Sequence, residues 1–468
     1  MYAKLVVSDS GEKTYLTADE DDTISYRKAE EMLATLADCV PQEAIQAGHN
    51  TNQPIRHNYR FWRQMFNARQ LASLGLLVSA IKGIDEPSLR SLFACLFSGV
   101  LEFNNMFVSY KGEGTGAVRH MFSHHILKPE LTPLEANVWG TPKSSGSFST
   151  LFNGRIMRAL RYKASPFEIM VKNNAARRRC RKVYGLSPPV NLEITKSYRQ
   201  FCTTGGAYVS QGDSSQTDIG DCSVDVVVTD PPFFDNVHYS ELADFFFVWL
   251  KRILDGEDAN RRMTTRCEGE VQGTDAKEFS ARLRSVFAEC RRVLKRNGLL
   301  VFTYHHSRME GWVALYRAVR ESGFLVARTY PVKSEMSVAL PIQKAKTPVR
   351  FDLIVVCRTS VEDIRAHERR GLSLPSCAEE SARRLKELRN AGIDVSLGDI
   401  KVILMGCLLS QLSGIGDLTR ELLELASVEA EVDNLATRLW ADVSERNHKP
   451  HIHQGVLFSP RTQAPGGD

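Results

Sequence analysis

The chain has 468 residues, of which 43% are apolar and 25% charged, an ordinary globular composition with room for two or three domains. No run approaches the roughly eighteen apolar residues of a membrane span, and the start MYAKLVVSDSGEKTYL lacks the layout of a signal peptide, so we expect a cytoplasmic protein. The formal net charge of +5 neither requires nor excludes a polyanionic partner.

The ten cysteines are scattered singly, without a Cys-x-x-Cys pair, which disfavours a zinc ribbon or a disulfide framework. The histidine pairs His124-His125 and His305-His306 have no carboxylate or cysteine at ligand spacing. We therefore predict no metal site.

Apolar residues recur at helical spacing from about 24 to 162, which predicts a mainly helical N-terminal domain. Inside it, GEGTGAVRH (Gly112 to His120) superficially resembles a phosphate-binding glycine turn. No β-branched strand leads into these glycines and no βαβ unit follows, so we interpret the segment as a loop.

From residue 205, short β-rich runs alternate with amphipathic segments, which is typical of an α/β sheet. The last two strands have no helix between them and predict a closing antiparallel hairpin. Lys295 to Gly298 predicts a basic last helical turn followed by a left-handed cap. The predicted strands are 207–210, 224–229, 299–304, 325–332 and 351–358, and the helices between them are 240–254, 276–294 and 311–322.

A basic run, Arg177 to Lys182, places five cations in six residues within what we expect to be a linker. Phosphate binding and a solvated helix face or exposed linker both remain open for it. The predicted organisation is a helical domain at 1–165, a basic linker at 166–204, an α/β domain at 205–360, a helical region at 361–455 and a disordered tail at 456–468.

Two carboxylates follow predicted strands: Asp213 in SQGDSS, and Asp230 directly before Pro231-Pro232-Phe233. Ligands of open α/β sheets bind beyond the carboxyl ends of the strands, so these positions are candidates for a site. Asp-Pro-Pro is also a common turn. The hydrophobic strand before it and the aromatic after it favour the catalytic interpretation.

The four residues Asp230 to Phe233 suit methyl transfer to an exocyclic amine. That nitrogen is a poor nucleophile because its lone pair is delocalised into the ring. A carboxylate and a backbone carbonyl that accept both amino hydrogens favour the pyramidal nitrogen of the transition state. Prolines donate no N–H and fix φ, so their carbonyls are held rigidly, and an aromatic ring can stack on a flipped base.

The segment from Gly212 to Leu254, with ECRRVLKRNGLLVFTYHH, VKSE and FDLIVVCR downstream, resembles DNA amino-methyltransferases, in particular the adenine-specific DNA methylases that carry a DUF1156 region. FWRQMFNARQL and EFNNMFVSY extend the resemblance upstream. It implies a class I methyltransferase-like sheet, S-adenosylmethionine as cofactor and double-stranded DNA with a flipped adenine as substrate. It also implies that Asp230 to Phe233 hold the base and that Asp213 and Asp230 bind the cofactor.

The residues after the motif could line the pocket for the base. We predict substrate binding by Phe233, Phe234, His238 and Tyr239; for Asp235, Asn236, His238 and Tyr239, capping of the following helix is an equal alternative. The stripe Phe245, Phe246, Phe247 and Trp249 is predicted to be core packing. His305 and His306 follow a strand and could border the site.

The glycine-rich turn that lies under the methionine part of the cofactor in class I methyltransferases is not found in the sequence. In the family that the chain resembles, this motif lies upstream of the helical region, so we expect an incomplete sheet. We favour a partner chain that supplies the motif. The alternative to a partner chain is an inactive DNA-binding or scaffolding remnant. The alternatives to adenine in DNA as the target are cytosine N4 in DNA and a base of RNA.

Overall fold

The structure is a computed structural model that describes residues 3–445 except 9, 11, 111–117, 125, 132, 141–143, 175–176, 236, 255–261, 335–348, 360–371 and 414–416. The chain divides into two compact units. Unit 1 comprises Met1–Ser223 and Pro231–Val293, and unit 2 comprises Val224–Asp230 and Leu294–Asp468. The chain passes from one unit to the other at three points, one of which lies between Asp230 and Pro231.

Unit 1 is mainly helical and carries four two-stranded sheets. Asp19 and Asn67 cap its first and third helices by accepting backbone N–H groups, as side chains before a helix commonly do. Its strands are β1 (Ala3–Val7), β2 (Lys13–Thr17), β3 (Ser109–Tyr110), β4 (Val118–Arg119), β5 (Phe167–Asn174), β6 (Arg177–Tyr184), β7 (Ile194–Thr195) and β8 (Ala207–Tyr208). Its helices are α1 (Glu20–Leu33), α2 (Asn52–Arg56), α3 (Ala68–Lys82), α4 (Pro87–Leu101), α5 (Phe148–Leu151), α6 (Arg158–Ala164), α7 (Tyr198–Thr204), α8 (Tyr239–Leu250) and α9 (Ala276–Val293).

The core of unit 1 forms around α8. Phe245 and Trp249 are fully buried, and Phe66 packs on both, with ring centroids 5.7 Å and 5.2 Å away. Phe97 lies edge-on to Trp249. Fully burying such a ring contributes about 1.5–3 kcal/mol. The prediction that the aromatic stripe is core packing is confirmed for Phe245 and Trp249.

Unit 2 is built on a four-stranded sheet with the order β11-β12-β10-β9. β9 and β10 are parallel, whereas β12 is antiparallel to β10 and to β11, which confirms the predicted closing hairpin. The strands are β9 (Val224–Thr229), β10 (Leu294–Tyr304), β11 (Leu325–Lys333) and β12 (Phe351–Arg358), and the helices are α10 (Met309–Glu321), α11 (Leu374–Asn390), α12 (Leu397–Leu412), α13 (Leu418–Ser427) and α14 (Glu429–Glu445).

One face of this sheet is closely packed. Alternate residues of β12 are buried, among them Leu353 and Val355, as are Phe302 and Tyr304 of β10. Helix α12 lies against this face so closely that a Cβ at Gly406 would stand 2.6 Å from the Thr329 Oγ1 atom. The alternation matches the period of two that a strand imposes on a one-sided core.

Several predictions about elements are corrected. Residues 207–210 were predicted as a strand of the main sheet, but β8 pairs with β7 in a separate two-stranded sheet. Lys295 to Gly298 do not end a helix: they lie inside β10, which begins at Leu294, and Gly298 has no positive φ. The expected linker contains a β-hairpin, β5–β6, and the helical domain is preceded by another, β1–β2. Residues 112–117 of the predicted glycine loop and the predicted tail at 456–468 lie outside the described residues.

Gly298 is needed for close approach, and its replacement by Ala tests this. A Cβ there would lie 2.9 Å from the Lys295 carbonyl oxygen and 3.1 Å from that of Asp225 on β9. Because backbone atoms cannot rotate away, Gly298→Ala should lower the free energy of unfolding by about 1–3 kcal/mol in denaturant titrations. Gly212→Ala is the control, since a Cβ there meets nothing within 4 Å. Equal stability of the two variants would contradict this packing.

Candidate active site

In unit 2, polar side chains from three strands come to one edge of the sheet. The parallel strands β9 and β10 pair Thr229 with Phe302, so the next residues, Asp230 and Thr303, stand side by side. The antiparallel strand β12 begins at the same edge, near Asp352. This edge lies at the carboxyl ends of the parallel strands, where ligands bind in open α/β sheets.

Asp230 is oriented by a single hydrogen bond. The hydroxyl of Thr303 donates to Asp230 Oδ1, and among the described residues Oδ2 has no recorded partner. Asp230 is exposed. An ionised carboxylate accepts only, so the second oxygen remains available for an incoming N–H donor.

A histidine–carboxylate pair lies near this edge. His305 Nδ1 contacts Asp352 Oδ1, and both side chains are mostly buried, 25% and 19% exposed. The pair fixes the orientation of the His305 ring, because one ring nitrogen is engaged by the carboxylate. Sequence reasoning marked His305 and His306 as possible neighbours of the site but missed Thr303 and Asp352. The parallel register of β9 and β10 is the signal that would have identified Thr303.

The rest of the motif belongs to unit 1. Pro231 is buried, while Pro232 and Phe233 are half-buried. Phe234 is fully buried and packs edge-on to Phe279 of α9, with ring centroids 5.4 Å apart. Phe234 therefore has a core position, and its predicted contact with the base stays a prediction.

The chain turns sharply directly after these four residues. Asp235 has a φ of +53°, a left-handed conformation that Asp tolerates better than most side chains. Asn236 lies outside the described residues. The turn leads into α8, whose first residue, Tyr239, is 58% exposed and so accessible to a ligand.

His238 and Glu241 join this segment to the helical part of unit 1. The His238 ring stacks on His49, with centroids 4.7 Å apart, and its Nδ1 lies 3.3 Å from a Glu241 oxygen. Buried Glu241 also accepts the backbone N–H groups of His49, Asn50 and Thr51 at 2.7–3.2 Å. His238 is thus held in place by a buried carboxylate and an aromatic neighbour.

Asp213 occupies an exposed turn of unit 1. Its Oδ1 accepts from the Ser215 backbone N–H at 2.8 Å and from the Ser215 hydroxyl at 2.7 Å. These hydrogen bonds hold the pKa of Asp213 below its usual value, because they favour the charged form. Asp213 is therefore anionic at neutral pH, and its predicted contact with the cofactor stays a prediction.

Side chains near the carboxyl end of β9 are exposed. Asp230 is exposed, and Val228, two residues earlier, is 76% exposed. Two cavities of about 570 and 330 Å³ lie in unit 1, and neither is lined by Asp213 or Asp230. No group of three or more potential metal ligands comes together among the residues described.

The sheet of unit 2 and the helices around it form a mixed α/β architecture with polar side chains at the carboxyl edge of the parallel strands. Residues 224–363 match the model of the N6/N4 DNA methylase family. The match supports a DNA amino-methyltransferase that acts on N6 of adenine or N4 of cytosine, and such enzymes generally use S-adenosylmethionine. No curated protein and no solved structure shows significant similarity to the chain. None of the described helices is both long and apolar enough to cross a membrane.

Replacement of Glu241 tests the support of this segment. Glu241→Ala leaves three backbone N–H groups without their acceptor, which should lower the free energy of unfolding by about 2–4 kcal/mol. The matched control is Glu278→Ala on α9, an exposed carboxylate in a surface ion pair, which should change it by less than about 1 kcal/mol. If both variants unfold at the same denaturant concentration, Glu241 does not support the segment.

Proposed function

We propose that the chain is the catalytic part of an adenine-specific DNA methyltransferase that acts on a flipped base. The observation that carries the proposal is Asp230 at the carboxyl edge of the sheet, oriented by Thr303 and followed by Pro231-Pro232-Phe233. The match of 224–363 to the DNA methylase family supports the reaction type. Cytosine N4 is the nearest alternative target, since its amino group requires the same chemistry.

Asp230 organises the amino group in this proposal. With Oδ1 held by Thr303, Oδ2 accepts one amino hydrogen, and a backbone carbonyl of the proline pair accepts the other. Both hydrogen bonds grow stronger as the nitrogen becomes pyramidal and positive, so they stabilise the transition state more than the bound substrate. In this proposal the Phe233 ring stacks on the base and Tyr239, whose side chain is 58% exposed, contacts the substrate.

We further propose that the S-adenosylmethionine site is completed by a polypeptide segment outside these 468 residues, most simply on a partner chain. In the described part of the chain, β9 hydrogen-bonds to β10 alone. Val226 and Val228 of β9 are 46% and 76% exposed. A β-branched strand whose edge is unpaired in the described residues, and whose apolar side chains are exposed, can pair with a further strand. This supports the proposal that the sheet is incomplete beside Asp230.

Asp230→Ala should reduce methyl transfer by at least about 100-fold without changing the unfolding temperature, because the carboxylate contributes to transition-state energy and is exposed in the fold. Thr303→Val, which removes only the orienting hydroxyl, should lower kcat about tenfold with little effect on KM, and Thr303→Ser should restore it. Steady-state kinetics of the active parent and of its variants measure these changes in kcat and KM. Near-parental turnover of Asp230→Ala would refute the assignment.

Phe233→Ala should weaken capture of the flipped base by about 1–3 kcal/mol, the usual contribution of one stacking contact, while Phe233→Tyr should be tolerated. Binding to duplexes with a mismatched target base, measured by fluorescence anisotropy, reports this contribution. The control is Phe247→Ala on α8, another half-buried phenylalanine. If Phe247→Ala weakens binding of the flipped base and Phe233→Ala does not, Phe233 is not the residue that stacks on the base.

The isolated chain should bind S-adenosylmethionine weakly or not at all in calorimetry, because the glycine-rich turn that supports the methionine part of the cofactor is not found in its sequence. Addition of a partner with a glycine-rich cofactor turn, for example the product of an adjacent gene, should restore both cofactor binding and methyl transfer. Tight stoichiometric binding by the chain alone would show that these residues suffice. Inactivity with every such partner would favour a non-catalytic remnant.

A further inference from the structure

The hairpin β5–β6 is a two-stranded sheet of its own within unit 1. Its register runs from Phe167 opposite Tyr184 to Asn174 opposite Arg177. Eight residues in each strand, at about 3.4 Å per residue, give a ribbon roughly 27 Å long.

Aromatic side chains and one lysine contact each other at the base of the ribbon. Phe167 lies edge-on to Tyr162 of α6, with centroids 5.3 Å apart, and contacts Tyr184. The Lys182 Nζ atom stands 4.3 Å from the centroid of the Phe167 ring. Further along, Ile169 is 61% exposed, and Arg181 is exposed as well.

The ribbon carries a large excess of positive charge. Six cations lie on its two strands, and its one carboxylate, Glu168, is near the base and accepts from Ser187 at 3.0 Å. Lys172 is directly opposite Arg179 in the register. The cations are Lys172, Arg177, Arg178, Arg179, Arg181 and Lys182.

This arrangement disfavours the free ribbon. Like charges directly opposite each other destabilise an antiparallel pair, and a lone two-stranded hairpin is only marginally stable in water. No ion pair is recorded for Arg181 among the described residues. A polyanion that neutralises these charges would therefore stabilise the hairpin as well as bind it.

We infer that β5–β6 is a DNA-binding ribbon that enters the major groove of the substrate duplex. The major groove of B-form DNA is about 12 Å wide and admits a two-stranded ribbon, and the six cations in the sequence of these strands match the negative charge of the phosphates. The inference rests on the proposed function only in taking duplex DNA as the polyanion. The deep, narrow major groove of A-form RNA would exclude the ribbon.

A charge-matched pair of triple variants tests the inference by DNA binding alone, so its outcome is independent of methyl transfer. In the first, Arg177, Arg179 and Arg181 are replaced by Gln; in the control, the exposed Arg383, Lys386 and Arg420 are replaced by Gln. The ribbon variant should bind duplex DNA at least about tenfold more weakly near 0.1 M salt. Its plot of log K against log salt should be shallower by about 3, because three phosphate contacts are lost. The control should match the parent.

Two further measurements keep the test decisive. Hydrogen exchange on the parent should show that the backbone amides of 167–174 and 177–184 become protected when duplex DNA is added. The parent should also prefer duplex DNA over duplex RNA of the same sequence by at least about tenfold. An unchanged salt slope or unprotected amides would overturn the ribbon assignment, and equal affinity for RNA would overturn entry into the major groove.

Discussion

The parallel pairing of β9 with β10 is the constraint on which the candidate site depends. It fixes Val228 opposite Val301 and Thr229 opposite Phe302, and therefore sets Asp230 beside the hydroxyl of Thr303. A slip of one residue would move Thr303 to the other face of the sheet, because side chains alternate along a strand. Leu300, Phe302 and Tyr304 hold the register by burying the opposite face.

The surroundings of the motif show how local packing serves the site. On one side of it, Phe234 packs on Phe279; further on, Glu241 ties the start of α8 to the segment 48–51. These contacts fix the backbone of the segment that follows Asp230. Asp230, Phe233 and Tyr239 keep exposed or half-buried side chains, so polar and aromatic groups are available to a ligand while their backbone is anchored.

Patterns along the sequence predict the parts of the fold that local chemistry decides. The runs VDVVVT and FDLIVVCR are β-branched and bounded by turn residues, and both strands have the predicted bounds. In other parts of the chain, tertiary contacts determine the secondary structure. Lys295 to Gly298 looked like a helix end, but they lie inside β10, as an irregularity between Leu294 and Leu299, which both pair with β9. β8 has strand character, yet its partner is β7, which no local pattern reveals. Asp230 was identifiable from its motif, whereas Asp352 became a candidate only through the antiparallel pairing of β12.

The proposed transfer of a methyl group to an amino nitrogen of DNA can be measured by mass spectrometry of nucleosides from duplex DNA incubated with the chain, its completing partner and isotopically labelled S-adenosylmethionine. We expect labelled N6-methyladenine with the parent chain and none with Asp230→Ala. Labelled 5-methylcytosine, methylated at carbon, or label that persists undiminished in Asp230→Ala, would contradict the proposal.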